Sequence, residues 1–108
     1  MNACSKFTRA YEALKEAVSI AERLAEREAD LNAIMGSHTY DILGDAVFAY
    51  AHERRVRLLL TPAETVADVA VKLSEVRIGE MKDCADFEDV FAHIEQDVVI
   101  LSGRGVGA

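Results

Sequence analysis

The sequence predicts an all-α protein with a four-helix arrangement, a long helical hairpin followed by a shorter one, and we expect it to be dimeric. Three observations support this fold class. Apolar residues recur at spacings of three and four along most of the 108 residues, which is the period of amphipathic helices. The six glycines and one proline, which interrupt helices, occur at only a few places. Aliphatic residues, with few aromatics, supply most of the 51 % hydrophobic content.

The first helix is predicted over residues 5–35. Its apolar stripe consists of Phe7, Tyr11, Leu14, Val18, Ala21, Leu24 or Ala25, Leu31 and Met35. A helix of this length would extend about 45 Å. Such a stripe needs a long antiparallel helix or a second copy of the chain to cover it, which is why we expect a homodimer.

Gly36 predicts a break before the second helix, because glycine suits the position after a helix end. The alternative is one continuous helix that tolerates Gly36. The second helix is predicted over residues 40–60 and carries a basic cluster of Arg54, Arg55 and Arg57. Cations stabilise the carboxyl end of a helix. A weaker alternative is a regulator that binds nucleic acid with these arginines.

The third helix is predicted to begin at Pro62, with Thr61 as the N-cap and Glu64 completing a capping box. The helix is expected to end near Gly79. Its predicted apolar stripe is Val66, Val69, Leu73 and Val76, and Asp68 and Lys72 are spaced to form an ion pair.

The fourth helix follows a polar connection, residues 80–86, and Asp86 is its predicted cap. Gly103 is expected to end it, so the single helical domain spans residues 1–103 and residues 104–108 form a flexible tail. Its predicted apolar face comprises Phe87, Val90 or Phe91, Ile94, Val98 and Leu101. Strands are the alternative for residues 55–60 and 97–101, where aliphatic residues crowd together.

The net charge of −7 is distributed unevenly. Residues 1–60 contain nine acidic and eight basic residues, a balance of −1, and residues 61–108 contain ten and four, a balance of −6. This argues against direct contact with nucleic acid or an anionic membrane. The sequence has no long apolar run, no signal-peptide pattern at its start and only two cysteines, so we expect a cytoplasmic protein.

Motifs for catalysis or metal binding are not apparent. Nothing in the sequence brings His38, His52 and His93 together, and the spacing of Cys84 and His93 matches no zinc motif. The glycines after residue 102 follow a helix and open none, unlike a phosphate loop. We therefore expect no catalytic residue, no metal and no cofactor; an enzyme or ligand carrier is the rival interpretation.

The candidate partner-binding residues are acidic and lie in the C-terminal half: Asp83, Asp86, Glu88, Asp89, Glu95 and Asp97. An acidic surface attracts a basic partner and makes association sensitive to salt. The alternative is ordinary charge that keeps the protein soluble.

Residues 57–103 combine a leucine run, Thr61-Pro62-Ala63, a helix containing Lys72-Leu73, an acidic connection and a helix ending in Leu101-Ser102-Gly103. This arrangement is similar to a loose family of small helical proteins of alphaproteobacteria, which are often encoded in prophages or other mobile elements. The resemblance implies no activity and no site residue.

Together these features predict a non-enzymatic protein that acts through protein–protein interaction, with itself and with a basic host protein. The alternative is a phage or mobile-element inhibitor, similar to anti-CRISPR proteins, whose acidic face blocks a nucleic-acid-binding host protein.

Overall fold

The computed structural model describes the backbone of residues 5–107 and the side chains of residues 5–103. Within this range the protein is all-helical, so residues 55–60 and 97–101 are helical and not strands. The elements are α1 (Lys6–Glu26), α2 (Glu28–Met35), α3 (Ser37–Leu60), α4 (Val66–Ile78), a 3-10 turn (Met81–Asp83) and α5 (Phe87–Gly107).

The first predicted helix is divided at Arg27 into α1 and α2, so the prediction of one uninterrupted helix is wrong. Arg27 leaves helical geometry at φ −101° and ψ 13°. The Tyr40 hydroxyl donates to the Leu24 carbonyl at 3.2 Å, and the Arg27 N–H donates to the same oxygen at 3.2 Å. This carbonyl lies where the Glu28 N–H would bond in a regular helix, so the competing donors account for the interruption.

Gly36 separates α2 from α3, as predicted. Its φ of 84° and ψ of 153° belong to a region that is essentially restricted to glycine. The helix α3 begins at Ser37, three residues before the predicted start. It returns antiparallel to α1, with Tyr40 beside Leu24 at one end and Leu58 packed against Leu14 at the other.

The start of α4 differs from the prediction by four residues. Thr61 is the C-cap of α3, since its hydroxyl donates to the Arg57 carbonyl at 2.7 Å. Thr65 is the true N-cap: its hydroxyl accepts the Asp68 N–H at 3.1 Å, and the Asp68 carboxylate accepts the Thr65 N–H at 3.2 Å. The expected capping box of Thr61 and Glu64 is therefore wrong, and Asp68 is used as a cap.

The predicted pair of Asp68 with Lys72 is also wrong, because Lys72 is buried and its ammonium bonds to Asp97 at 2.5 Å. Asp97 in turn accepts the N–H of the buried Ala63 at 3.1 Å. Burying Lys72 rotates α4 relative to the predicted stripe, so Val66 and Leu73 face outward. The buried lysine, its carboxylate and Ala63 thus tie α4, α5 and the α3–α4 connection together.

The helix α5 begins at Phe87, directly after the predicted cap Asp86, and continues to Gly107. The predicted end at Gly103 is therefore four residues early. The mobility of residues 104–108 and the domain limits 1–103 stay predictions. Residues 1–4 and 108 lie outside the described range.

Two adjoining clusters form the core. One comprises Leu59, Ala63, Val69, Met81, Val90 and Ile94, at the junction of α3, α4 and α5. The other comprises Phe7, Leu14 and Leu58, against which Val71 of α4 also packs. Both clusters lie against the carboxyl-terminal half of α3, which α4 and α5 cover in the first cluster and α1 and α4 in the second.

The rest of the helical hairpin projects from this core. We call residues 18–50 the arm; none of its side chains is buried. The molecule measures 60 × 38 × 15 Å, and its radius of gyration is 17.0 Å against about 13 Å for a compact chain of this length. Since a helix with its side chains is about 10–12 Å across, a smallest extent of 15 Å indicates a flat arrangement of helices.

Candidate functional site: three surfaces

The first surface lies on the arm, where α3 is apolar on every side. Residues 42–51 contain a single charged side chain, Asp45. In this stretch α1 covers one side of the helix, while Ile42 is 57 % and Phe48 73 % exposed. A helix that is hydrophobic all round is normally buried. The arm therefore presents a face that is suited to contact with protein.

A groove of about 270 Å³ opens on this face between α1 and α3, and Phe48 forms part of its wall. Tyr40 also lines the groove. Its pKa is raised above 10.0, first because burial disfavours the phenolate and then because the carboxylates of Glu28 and Asp41 repel it. Tyr40 is therefore a neutral hydrogen-bond donor at physiological pH, which is the state that its bond to Leu24 requires.

The second surface lies between α4 and α5, where the rotation of α4 leaves apolar side chains outside. A groove of about 380 Å³ is lined by Leu73, Phe91, Ile94, Glu95, Val98 and Val99. Val66 continues the apolar lining toward the beginning of α4. Sequence periodicity assigned Leu73, Val98 and Val66 to the core; the buried Lys72 and Asp97 occupy that position instead.

The predicted acidic residues are divided by the structure. Asp83, Glu88, Asp89 and Glu95 are exposed, and Asp86 is half-buried. Asp97 is 4 % exposed and holds Lys72, so it does not belong to an accessible acidic surface. Glu95 borders the α4–α5 groove, where a carboxylate lies beside Phe91 and Val99.

The third surface is basic, and sequence analysis identified only its α3 arginines, not Arg9. Arg9 of α1 lines a groove of about 380 Å³ together with Arg54 and Arg57 of α3. The antiparallel packing of α1 on α3 brings Arg9 to two arginines that are more than forty positions away. Arg55, which the sequence grouped with them, instead pairs with Glu75 at 3.0 Å in a mostly buried position. We call the arginine-lined space the basic groove.

The three histidines are spread over two helices: His38 lies at the beginning of α3 and His52 in its carboxyl-terminal half, and His93 lies on α5. Among the described side chains, no three His, Cys, Asp or Glu residues lie close enough together to hold a metal ion. Cys84 is a half-buried free thiol.

No family model, curated protein or solved structure matches this chain. In the described part of the chain, none of the helices is both long and apolar enough to cross a bilayer.

Proposed function

We propose that this protein is a non-enzymatic protein–protein interaction module that forms a homodimer through its arms. The observation that carries the proposal is the apolar stretch of α3 at residues 42–51, in which Ile42 and Phe48 stay exposed to solvent. Two such arms packed face to face would bury Phe48 and Ile42 and make a four-helix bundle of two hairpins. This is the usual way in which long amphipathic hairpins complete a bundle.

The surface area of the chain supports the same proposal. The accessible surface is 7454 Å². A compact monomer of 11.8 kDa exposes about 5900 Å². The excess is about 1500 Å², whereas a stable interface of standard size buries about 800 Å² on each partner. The protomer therefore has more than enough surplus surface for a dimer.

The test is the molar mass of the full chain in solution, measured by light scattering after size exclusion. We expect twice 11.8 kDa for the wild type and the monomer mass for Phe48→Glu. Val99→Glu is the matched control, because it places the same charge on a side chain of similar exposure on α5, 70 % against 73 %. A monomeric wild type, or a Phe48→Glu protein that stays dimeric, would contradict the proposal.

The exposed acidic residues favour a second candidate function, an inhibitor whose acidic face blocks a nucleic-acid-binding host protein. Glu88, Asp89 and Glu95 are exposed on α5, and Glu95 lines the apolar groove. The resemblance to proteins of mobile elements gives this candidate its context. Charge is expected to accelerate association with a basic surface.

This second candidate is tested by capturing partners from a bacterial lysate on the tagged protein, with and without nuclease, and identifying them by mass spectrometry. We expect a stoichiometric, nuclease-resistant partner with a basic groove. Its capture should be lost when Glu88, Asp89 and Glu95 are all changed to Lys, while circular dichroism shows the helices intact. Unchanged capture by the triple variant would rule out the acidic face as the docking surface.

A further inference from the structure

We propose that the basic groove binds the phosphate group of a small phosphate monoester. The groove lies near the core end of the α1–α3 hairpin, between residues of α1 and the carboxyl-terminal part of α3. This inference is independent of the proposed dimer, because none of the residues that line the groove belongs to the arm.

The first support is the fixed position of the Arg54 guanidinium. The Nε–H of Arg54 is buried and has no hydrogen-bond partner among the described residues. The guanidinium is held against the Tyr50 ring, with 5.0 Å from its central carbon to the ring centroid. Nε itself is enclosed by protein atoms, so a ligand in the groove would meet the other atoms of a guanidinium whose position is fixed.

The second support is the concentration of charge. Arg9, Arg54 and Arg57 line one groove in a chain of net charge −7. Glu53 bonds the Nε of Arg57 at 2.8 Å, and this pair is exposed to solvent. Three guanidinium groups and one carboxylate leave a local charge of +2. That matches a phosphate monoester, whose charge approaches −2 near neutral pH.

The third support is the floor of the groove. Ala10 and Ala13 of α1 are small and leave space between the helices, and Leu60 of α3 adds an apolar wall. Arginine recognises phosphate through paired N–H donors with fixed geometry. A phosphate held by the arginines would place its organic part against the alanines and Leu60. A monoester with an apolar organic group therefore fits better than free phosphate.

The test is a calorimetric and NMR titration of the full chain with phenyl phosphate, and separately with inorganic phosphate. We expect saturable binding of phenyl phosphate with a dissociation constant below about 1 mM, weaker binding of inorganic phosphate, and amide shift changes centred on Arg9, Arg54 and Ala10. Affinity should fall when the pH is lowered through about 6, as the monoester gains a proton.

Variants separate a binding role from a structural one. Arg54→Lys keeps the charge but removes the planar guanidinium with its paired N–H donors, and Arg9→Gln removes an exposed charge. Each should weaken binding by about tenfold. Arg77→Gln, an exposed arginine of α4, is the matched control and should bind as the wild type does. Without ligand, Arg54→Lys should unfold no more easily than the wild type, because the Nε–H bonds nothing within the described residues.

The proposal is overturned if phenyl phosphate produces no saturable shift, or if Arg54→Lys and Arg77→Gln bind equally well. Binding of a single-stranded oligonucleotide without binding of phenyl phosphate would also overturn it, since the ligand would then be a nucleic-acid backbone. The monomer or dimer state of the variants is a separate measurement, so failure here leaves the arm proposal standing.

Discussion

Replacing Lys72 by Met should destabilise the protein more than any surface substitution. The change leaves the Asp97 carboxylate, 4 % exposed, without its cation, although the carboxylate still accepts the Ala63 N–H. Breaking one side of a buried ion pair costs about 3–5 kcal/mol. A domain of this size is stable by about 5–15 kcal/mol in total, so a large part of its stability would be lost.

The assay is urea unfolding followed by circular dichroism at one fixed protein concentration, since dimerisation would add stability that depends on concentration. Asp97→Asn should cost a similar amount, because it leaves the Lys72 ammonium buried without its carboxylate. The double variant Lys72→Met with Asp97→Asn keeps an acceptor for the Ala63 N–H and buries no charge. We expect it to recover most of the loss, to within about 1–2 kcal/mol of the wild type.

The control is Lys15→Met, which removes an exposed ion pair with Glu12 at 3.0 Å. Exposed pairs contribute about 0–1 kcal/mol, so this variant should unfold almost as the wild type does. The reasoning is refuted if Lys72→Met costs no more than Lys15→Met. It is also refuted if the double variant is as unstable as the sum of the two single ones, because the two residues would then not act as a pair.

Three further predictions concern the backbone and one titratable group. Gly79→Ala should destabilise by about 1–3 kcal/mol in urea unfolding, because its new methyl group would lie 2.4 Å from the Cδ of Arg55, whose guanidinium is tied down by an ion pair. Gly103→Ala should stabilise the protein by about 0.5–1 kcal/mol, since the site is helical with open space around it. Gly36→Ala should instead destabilise it by about 1–3 kcal/mol, because the φ of 84° strains any side chain. Equal effects of the two substitutions would contradict the extension of α5. The difference between the ultraviolet titrations of the wild type and Tyr40→Phe should have a midpoint above pH 10.0, because burial and then repulsion by Glu28 and Asp41 raise the pKa of Tyr40. The stability that Tyr40 contributes should be present below pH 10.0 and disappear as the pH passes that midpoint. A midpoint at or below 10.0 would be inconsistent with both causes.

Sequence analysis predicted correctly the helix ends that depend on residues adjacent to them in the chain. Gly36 separates two helices because of its own backbone geometry, and Phe87 begins α5 directly after an aspartate. The start of α4 was misplaced because Thr61 and Thr65 both head a plausible capping sequence. The choice between them depends on where Ala63 is buried, and that is decided by Asp97, thirty-four residues further on.

The candidate surfaces were predicted less well for the same reason. Composition could identify the exposed acidic residues, because they are close together in the sequence. It could not show that Asp97 is buried or that Leu73 is outside, since both follow from the pairing of Lys72. The basic groove needs the register of α1 on α3, and no local pattern connects Arg9 with Arg54.

Because none of the side chains of residues 18–50 is buried, the arm should also unfold locally more often than the core does. Segments with few buried contacts open locally at a free energy well below that of global unfolding. Amide hydrogens of the arm should therefore exchange with deuterated solvent long before those around Leu59 and Val90, which are buried in the core. The arm can unfold and refold locally while the core remains folded. Binding of any molecule to the arm should therefore first be detected as slower hydrogen exchange of the arm amides, even where the rest of the protein does not change.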